Sequence, residues 1–121
     1  MNKQTVAIIT TNEIAEKIKE RLNEFPEELQ DVKIVNNKEN TNIFYWDYKP
    51  FFYAIEDKLK IKDILDKYKN SSTEGYKLLA YGDDDYLDND GNNIGLDLFS
   101  DYMIEHQFTF IDDIMYASDQ L

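Results

Sequence analysis

Residues 4–10, Gln-Thr-Val-Ala-Ile-Ile-Thr, hold four consecutive apolar positions, and such a run predicts a buried strand. The period then changes. Ile14, Ile18 and Leu22 recur at i, i+4 and i+8 with Ala15 beside them, while Glu13, Glu16, Lys17, Lys19 and Glu20 fall elsewhere. That spacing predicts an amphipathic helix ending near Phe25-Pro26. Thr10-Thr11-Asn12-Glu13 has capping-box spacing, with Thr10 as the cap and Glu13 reaching back. Pro26-Glu27-Glu28 starts a further short turn of helix. Residues 32–35 predict a short strand, the Asn-rich stretch 36–40 a turn, and the aromatic run 42–48 a second strand, so the three together read as a hairpin.

Pro50 suits the first turn of a helix. Phe51, Ile55 and Leu59 share one face, and Ile61, Ile64, Leu65 and Tyr68 share another. The apolar phase slips near Lys60, so 50–69 reads as one bent helix or two short ones. A turn over 70–75 and a strand over 76–81 come next. Residues 82–93 are loop by composition. Ile94, Leu96 and Leu98 alternate as in a strand, whereas Phe99, Tyr102, Met103 and His106 recur as in a helix. The reading adopted is a turn into a helix over 97–106, with a closing strand over 108–116. No repeat or linker interrupts the chain. The expected class is α+β, one domain over 1–121. It would have a mixed or antiparallel sheet of about four to five strands, two main helices on one face and an acidic C-terminal segment.

Charge changes the picture more than composition does. Of the 121 residues, 42% are apolar and 17 are aromatic, enough for a core and too many for a disordered acidic tail. The net charge of −12 is unevenly placed. Residues 1–77 carry 14 acidic and 13 basic side chains, whereas residues 78–121 carry 11 acidic side chains and no Lys or Arg. Lys77 is the last base. Such a one-sign surface repels itself, and a basic partner, a bound cation or solubility would account for it. Twelve lysines against one arginine, with many Asn, Ile and Tyr, reflect AT-rich codons and point to a low-GC bacterium, phage or plasmid.

Cysteine is absent, which excludes disulfides, thiolate metal sites and a cysteine nucleophile. His106 is the one histidine, a poor basis for a catalytic triad or a His-rich metal site. No apolar run approaches a membrane span, and the N-terminus lacks a signal-peptide layout, so a cytoplasmic protein is expected. Tyr81-Gly82-Asp83-Asp84 matches the four-residue motif with which RNA-dependent polymerases hold two Mg²⁺ ions, but the chain is too short for a polymerase palm and fingers. Asp88, Asp90 and Gly91 fit the Asp-x-Asp-Gly core of an EF-hand within 85–97. The first ligand position then falls on Tyr86, Ile94 lies one place late, and Asp97 stands where a bidentate Glu is usual. A weak Ca²⁺ module using Asp85, Asp88, Asp90 and Asp97 is therefore an alternative, and an Asp/Asn/Gly turn is the plain one. The aromatic stretch Tyr45, Trp46, Tyr48, Phe51, Phe52 and Tyr53 reads as core with an amphipathic rim.

No motif ties the chain to a named family. In type, a short, acidic, Cys-free, Tyr-rich low-GC protein is like immunity proteins of nuclease toxins and phage inhibitors of host defence nucleases, which include anti-CRISPR proteins. The expected function is therefore non-enzymatic: binding and inhibition of a basic protein, most simply a nuclease, through a surface that mimics nucleic acid. The partner-binding candidates are Asp83, Asp84, Asp85, Tyr86, Asp88, Asp90, Asp97, Asp101, Tyr102 and Glu105, with tyrosines as anchors among the carboxylates. Asp112 and Asp113 extend the same acidic cluster. No catalytic residue, metal ligand or cofactor is expected, and the net charge argues against direct nucleic-acid binding.

Overall fold

The computed structural model describes residues 4–49, 56–82 and 86–102. The order is β1 (Gln4–Thr10), α1 (Asn12–Asn23), α2 (Pro26–Asp31), β2 (Val32–Lys38), β3 (Thr41–Lys49), α3 (Ile61–Asp66), β4 (Tyr76–Gly82), β5 (Tyr86–Gly91) and α4 (Asn93–Leu98). The five strands form one antiparallel sheet in the order β2-β3-β1-β4-β5. The first strand of the chain is therefore its middle strand. β1 and β2 run the same way with β3 between them, and β3 and β4 run the same way with β1 between them. Two split β-α-β units thus interlock, and β5 and α4 are added beyond β4.

Every position from Val6 to Thr10 is buried, because both faces of the central strand are covered. On the first face Val6 and Ile8 meet Phe44, Trp46, Leu78 and Ala80 of the neighbouring strands. There they pack under Ile14, Ile18 and Leu22 of α1 and Ile61, Ile64 and Leu65 of α3. The 3.6-residue spacing of the α1 positions puts all of them on that side. The second face is smaller: Ala7, Ile9, Val35, Ile43 and Leu79, closed by Phe99 and Tyr102 from beyond α4.

Several boundaries differ from the sequence reading. The cap of α1 is Thr11, not Thr10. No side chain caps the helix, because the Thr11 hydroxyl is drawn away to donate to the Glu74 carboxylate at 2.7 Å. Thr11 N–H also donates to Gly75 O at 3.0 Å, and Gly75 N–H donates to the Thr11 side-chain oxygen Oγ1 at 3.1 Å. The hairpin turn is tighter than 36–40. β2 runs to Lys38 through a bulge after Asn36, and Asn40 takes the left-handed conformation that closes the turn, φ 55°. Between 56 and 69 the regular helix is confined to Ile61–Asp66, entered through Lys60 at φ 53°, which is the phase slip seen in the sequence. Residues 50–55, 103–106 and 108–116, on which a helix start, a helix end and a strand are expected, lie outside the described residues.

The segment ahead of α3 is tied to α2 by charge. Lys58 Nζ lies 2.5 Å from Glu27 Oε1 and 3.2 Å from Glu28 Oε1. The hydrogen bond from Lys58 holds the Glu27 carboxyl below its ordinary range, and the same bond raises Lys58. Glu27 therefore contributes above the ordinary carboxylate value and loses its contribution as pH falls through its lowered value. Lys58 contributes below the ordinary lysine value and loses its contribution as pH rises through its raised value. The melting-temperature difference between the wild type and Lys58→Met is expected to be largest near neutrality and to shrink in both acid and strong alkali. A difference that stays flat across that range in thermal melts would show that the pair contributes nothing.

Candidate functional site

The acidic third of the chain enters the fold through β5, which is the edge of the sheet among the described residues. The sequence of β5, Tyr-Leu-Asp-Asn-Asp-Gly, has turn composition, and composition alone predicts a loop over 82–93. It nevertheless pairs with β4, Lys77 opposite Gly91, Leu78 opposite Asp90, Ala80 opposite Leu87 and Tyr81 opposite Tyr86, with an irregularity between Leu78 and Ala80. At an edge, polar residues can face water while the backbone is held on one side, so weak strand formers are tolerated there. This pairing runs through the middle of the sequence that resembles a calcium loop. Asp90 lies 3.9 Å from Lys62, and among the described residues no three acidic or histidine side chains converge as a metal site would require.

Asn92 determines the path of the chain beyond β5. It is buried, and its side-chain oxygen accepts from Gly95 N–H at 2.8 Å and Tyr76 N–H at 3.2 Å. Its side-chain nitrogen donates to Tyr68 O at 2.8 Å and Glu74 O at 2.9 Å. One side chain thus caps α4, pins the first residue of β4 and closes the loop between α3 and β4. Helix α4 therefore spans 93–98, earlier than the expected 97–106, and the strand-like alternation of Ile94, Leu96 and Leu98 is overruled by the cap.

Of the sequence-derived candidates, Asp97 and Asp101 are exposed, and Asp90 is half-buried beside Lys62. Tyr102 is corrected. It is 7% exposed, its ring centroid lies 6.2 Å from that of Phe99, and it belongs to the second core, so it is not a projecting anchor. The exposed Lys38 stands over the ring at 5.9 Å from its centroid. Tyr86 and Asp88 lie on β5. Asp83, Asp84, Asp85 and Glu105 lie outside the described residues, as do Asp112 and Asp113. Burial first, then the charges of Asp90 and Asp66, hold the Tyr76 phenol above its ordinary range.

Lys77 is a buried lysine that sequence reasoning misses. It is fully buried in β4, and its Nζ donates to Tyr102 O at 2.5 Å and Phe99 O at 3.3 Å. The available signal is a lysine directly before Leu78-Leu79-Ala80, in phase with Leu79.

A cleft of about 300 Å³ lies between α1 and the end of α3. Lys17, Glu20, Arg21, Glu24, Lys67 and Tyr68 line it over Ile64. Arg21 donates to Leu59 O at 2.6 Å and lies 3.8 Å from Glu24. Burial first, then Glu13, holds the Tyr68 phenol above its ordinary range. The charges of the cleft alternate in sign, and its arginine fastens the chain ahead of α3.

Among the described residues no helix is long and apolar enough to cross a membrane. No family model, curated protein or solved structure matches the chain.

Proposed function

We propose that the protein is a non-enzymatic binder of a basic protein partner, and that the β5–α4 side of the fold is the surface it offers. One observation carries this reading. Residues 78–121 hold 11 acidic side chains and no Lys or Arg, and the base just before them, Lys77, turns its ammonium into the core. Asp97 and Asp101 therefore face water with no lysine or arginine in their own stretch of chain, and Lys62 beside Asp90 stands at its border. Such a surface steers a cationic partner and repels an anionic one. The complementary surface is a groove built to hold phosphates, which offers Lys and Arg in rows. A nuclease or other nucleic-acid-binding protein is the partner class that fits, and inhibition by occupying that groove is the function. An immunity protein of a toxin pair and a mobile-element inhibitor of a defence nuclease both need this same surface.

The test is co-expression with the basic proteins encoded beside this one, followed by purification at low and high salt and a nuclease assay. A stoichiometric complex is expected at about 50 mM salt, with nuclease activity suppressed. It should weaken at about 1 M, where screening shortens to about 3 Å. The triple variant D90N/D97N/D101N should bind about tenfold or more weakly with its melting temperature preserved. Absence of any basic partner at low salt, or a complex indifferent to both salt and the triple variant, would overturn the reading.

A further inference from the structure

The second face of the sheet is closed, among the described residues, by Phe99 and Tyr102. The carbonyls of those same two residues receive the Lys77 ammonium. Placing an ammonium in a core is costly, and a methionine would fill similar space without that cost. What the lysine supplies instead is donors. Carbonyls at and after a helix end lack helical partners. That of Phe99, directly beyond α4, accepts from Tyr102 N–H at 3.0 Å and takes Lys77 as a second donor, and that of Tyr102 takes Lys77 as well. Tyr102 is held from two strands of the sheet, by Lys77 of β4 at its carbonyl and by Lys38 of β2 over its ring. The segment is short, and it is also tied down by the Asn92 cap at its start and by the close approach of Gly95 to Tyr76. Asp97 lies two residues before Phe99, and Asp101 directly before Tyr102. Both are exposed, so the carbonyls that Lys77 holds and the carboxylates turned to water are carried by one short stretch of backbone.

We infer that Lys77 is a positioning residue: it latches residues 93–102 across the second face of the sheet and so fixes Asp97 and Asp101 in one arrangement on the surface. The consequence for partner affinity rests on the proposed function. The latch itself does not, and its test needs no partner.

Hydrogen exchange is read peptide by peptide in three proteins: the wild type, Lys77→Met, and Leu78→Ala, which thins the opposite core. In Lys77→Met the amides of Phe99 and Tyr102 are expected to exchange about tenfold or more faster while β1 and β3 keep their protection. In Leu78→Ala, sheet and segment should accelerate together. Exchange at 99–102 unchanged in Lys77→Met, or raised there no more than in the sheet, overturns the latch. Should Lys77→Met fail to fold, competitive acylation of wild-type lysines decides. Lys77 is expected to react about 100-fold more slowly than Lys17 and Lys67, and molecules labelled at Lys77 should retain protection in β1. Labelling as fast as that of Lys17, or only in molecules that have lost β1 protection, overturns it. Where the wild type binds a partner, Lys77→Met should bind about tenfold more weakly at unchanged salt. If the wild type binds none, the functional reading falls and the exchange data still judge the latch.

Discussion

Replacing Gly95 by alanine is expected to cost roughly 4 kcal/mol or more, enough to threaten folding in a domain whose whole stability is about 5–15 kcal/mol. A Cβ at this position would overlap the carbonyl oxygen of Tyr76 and stand 2.5 Å from its nitrogen. Neither atom can move far. Tyr76 begins β4, pairs with Thr10 and has its side chain in the first core. The requirement is one of distance, since Gly95 has no positive φ. Gly75 and Gly91 belong to the same close approach. A Cβ on Gly75 would come within 2.6 Å of Gly95 N, and one on Gly91 would overlap the Tyr76 carbonyl. Serine at 95 should therefore be as harmful as alanine. Urea unfolding measures the loss. A cost below about 1 kcal/mol would mean that α4 does not lie against β4 as described.

Asn92→Ala is expected to cost about 3 kcal/mol or more. It removes a helix cap and leaves two buried N–H groups and two carbonyls to find other partners. Aspartate is the informative alternative. Its carboxylate can still accept from Gly95 and Tyr76, but it turns an acceptor toward Tyr68 O and Glu74 O, where the amide donated. Near neutrality Asn92→Asp should cost nearly as much as alanine. The charged form faces two carbonyls, and protonation restores a donor toward them, so the deficit relative to wild type should narrow as pH falls. Melts at pH 7 and pH 5 check this, and a deficit that widens in acid would reject the assigned partners. Because Asn92 and Gly95 serve one joint, the double variant should lose less than the sum of the two.

The legibility of the fold divides along the same joint. β1, α1 and β4 can be read because their apolar spacing is set by a large core on at least one side. β5 and α4 cannot. The first is held by pairing at an edge, which leaves no apolar period. The second is decided by one asparagine with partners at residues 68, 74, 76 and 95, a constellation that no window of sequence contains. For the candidate site, charge alone places Asp97 and Asp101 correctly on the surface. It misplaces Tyr102 because a tyrosine among carboxylates looks like an anchor until the face it must close is known. Lys77 escapes because a single lysine beside three apolar residues reads as a strand end.

The interlocked strand order also sets a problem during synthesis. The rings that close over the Ala7 and Ile9 side of the sheet are made roughly ninety positions after those residues. At about 5–20 residues per second the nascent chain spends roughly 5–20 s with that strip uncovered. The stretch that then emerges brings the missing cover and a dense set of like charges together, so the growing chain gains mutual repulsion between neighbouring copies at the stage when its stickiest surface is being buried.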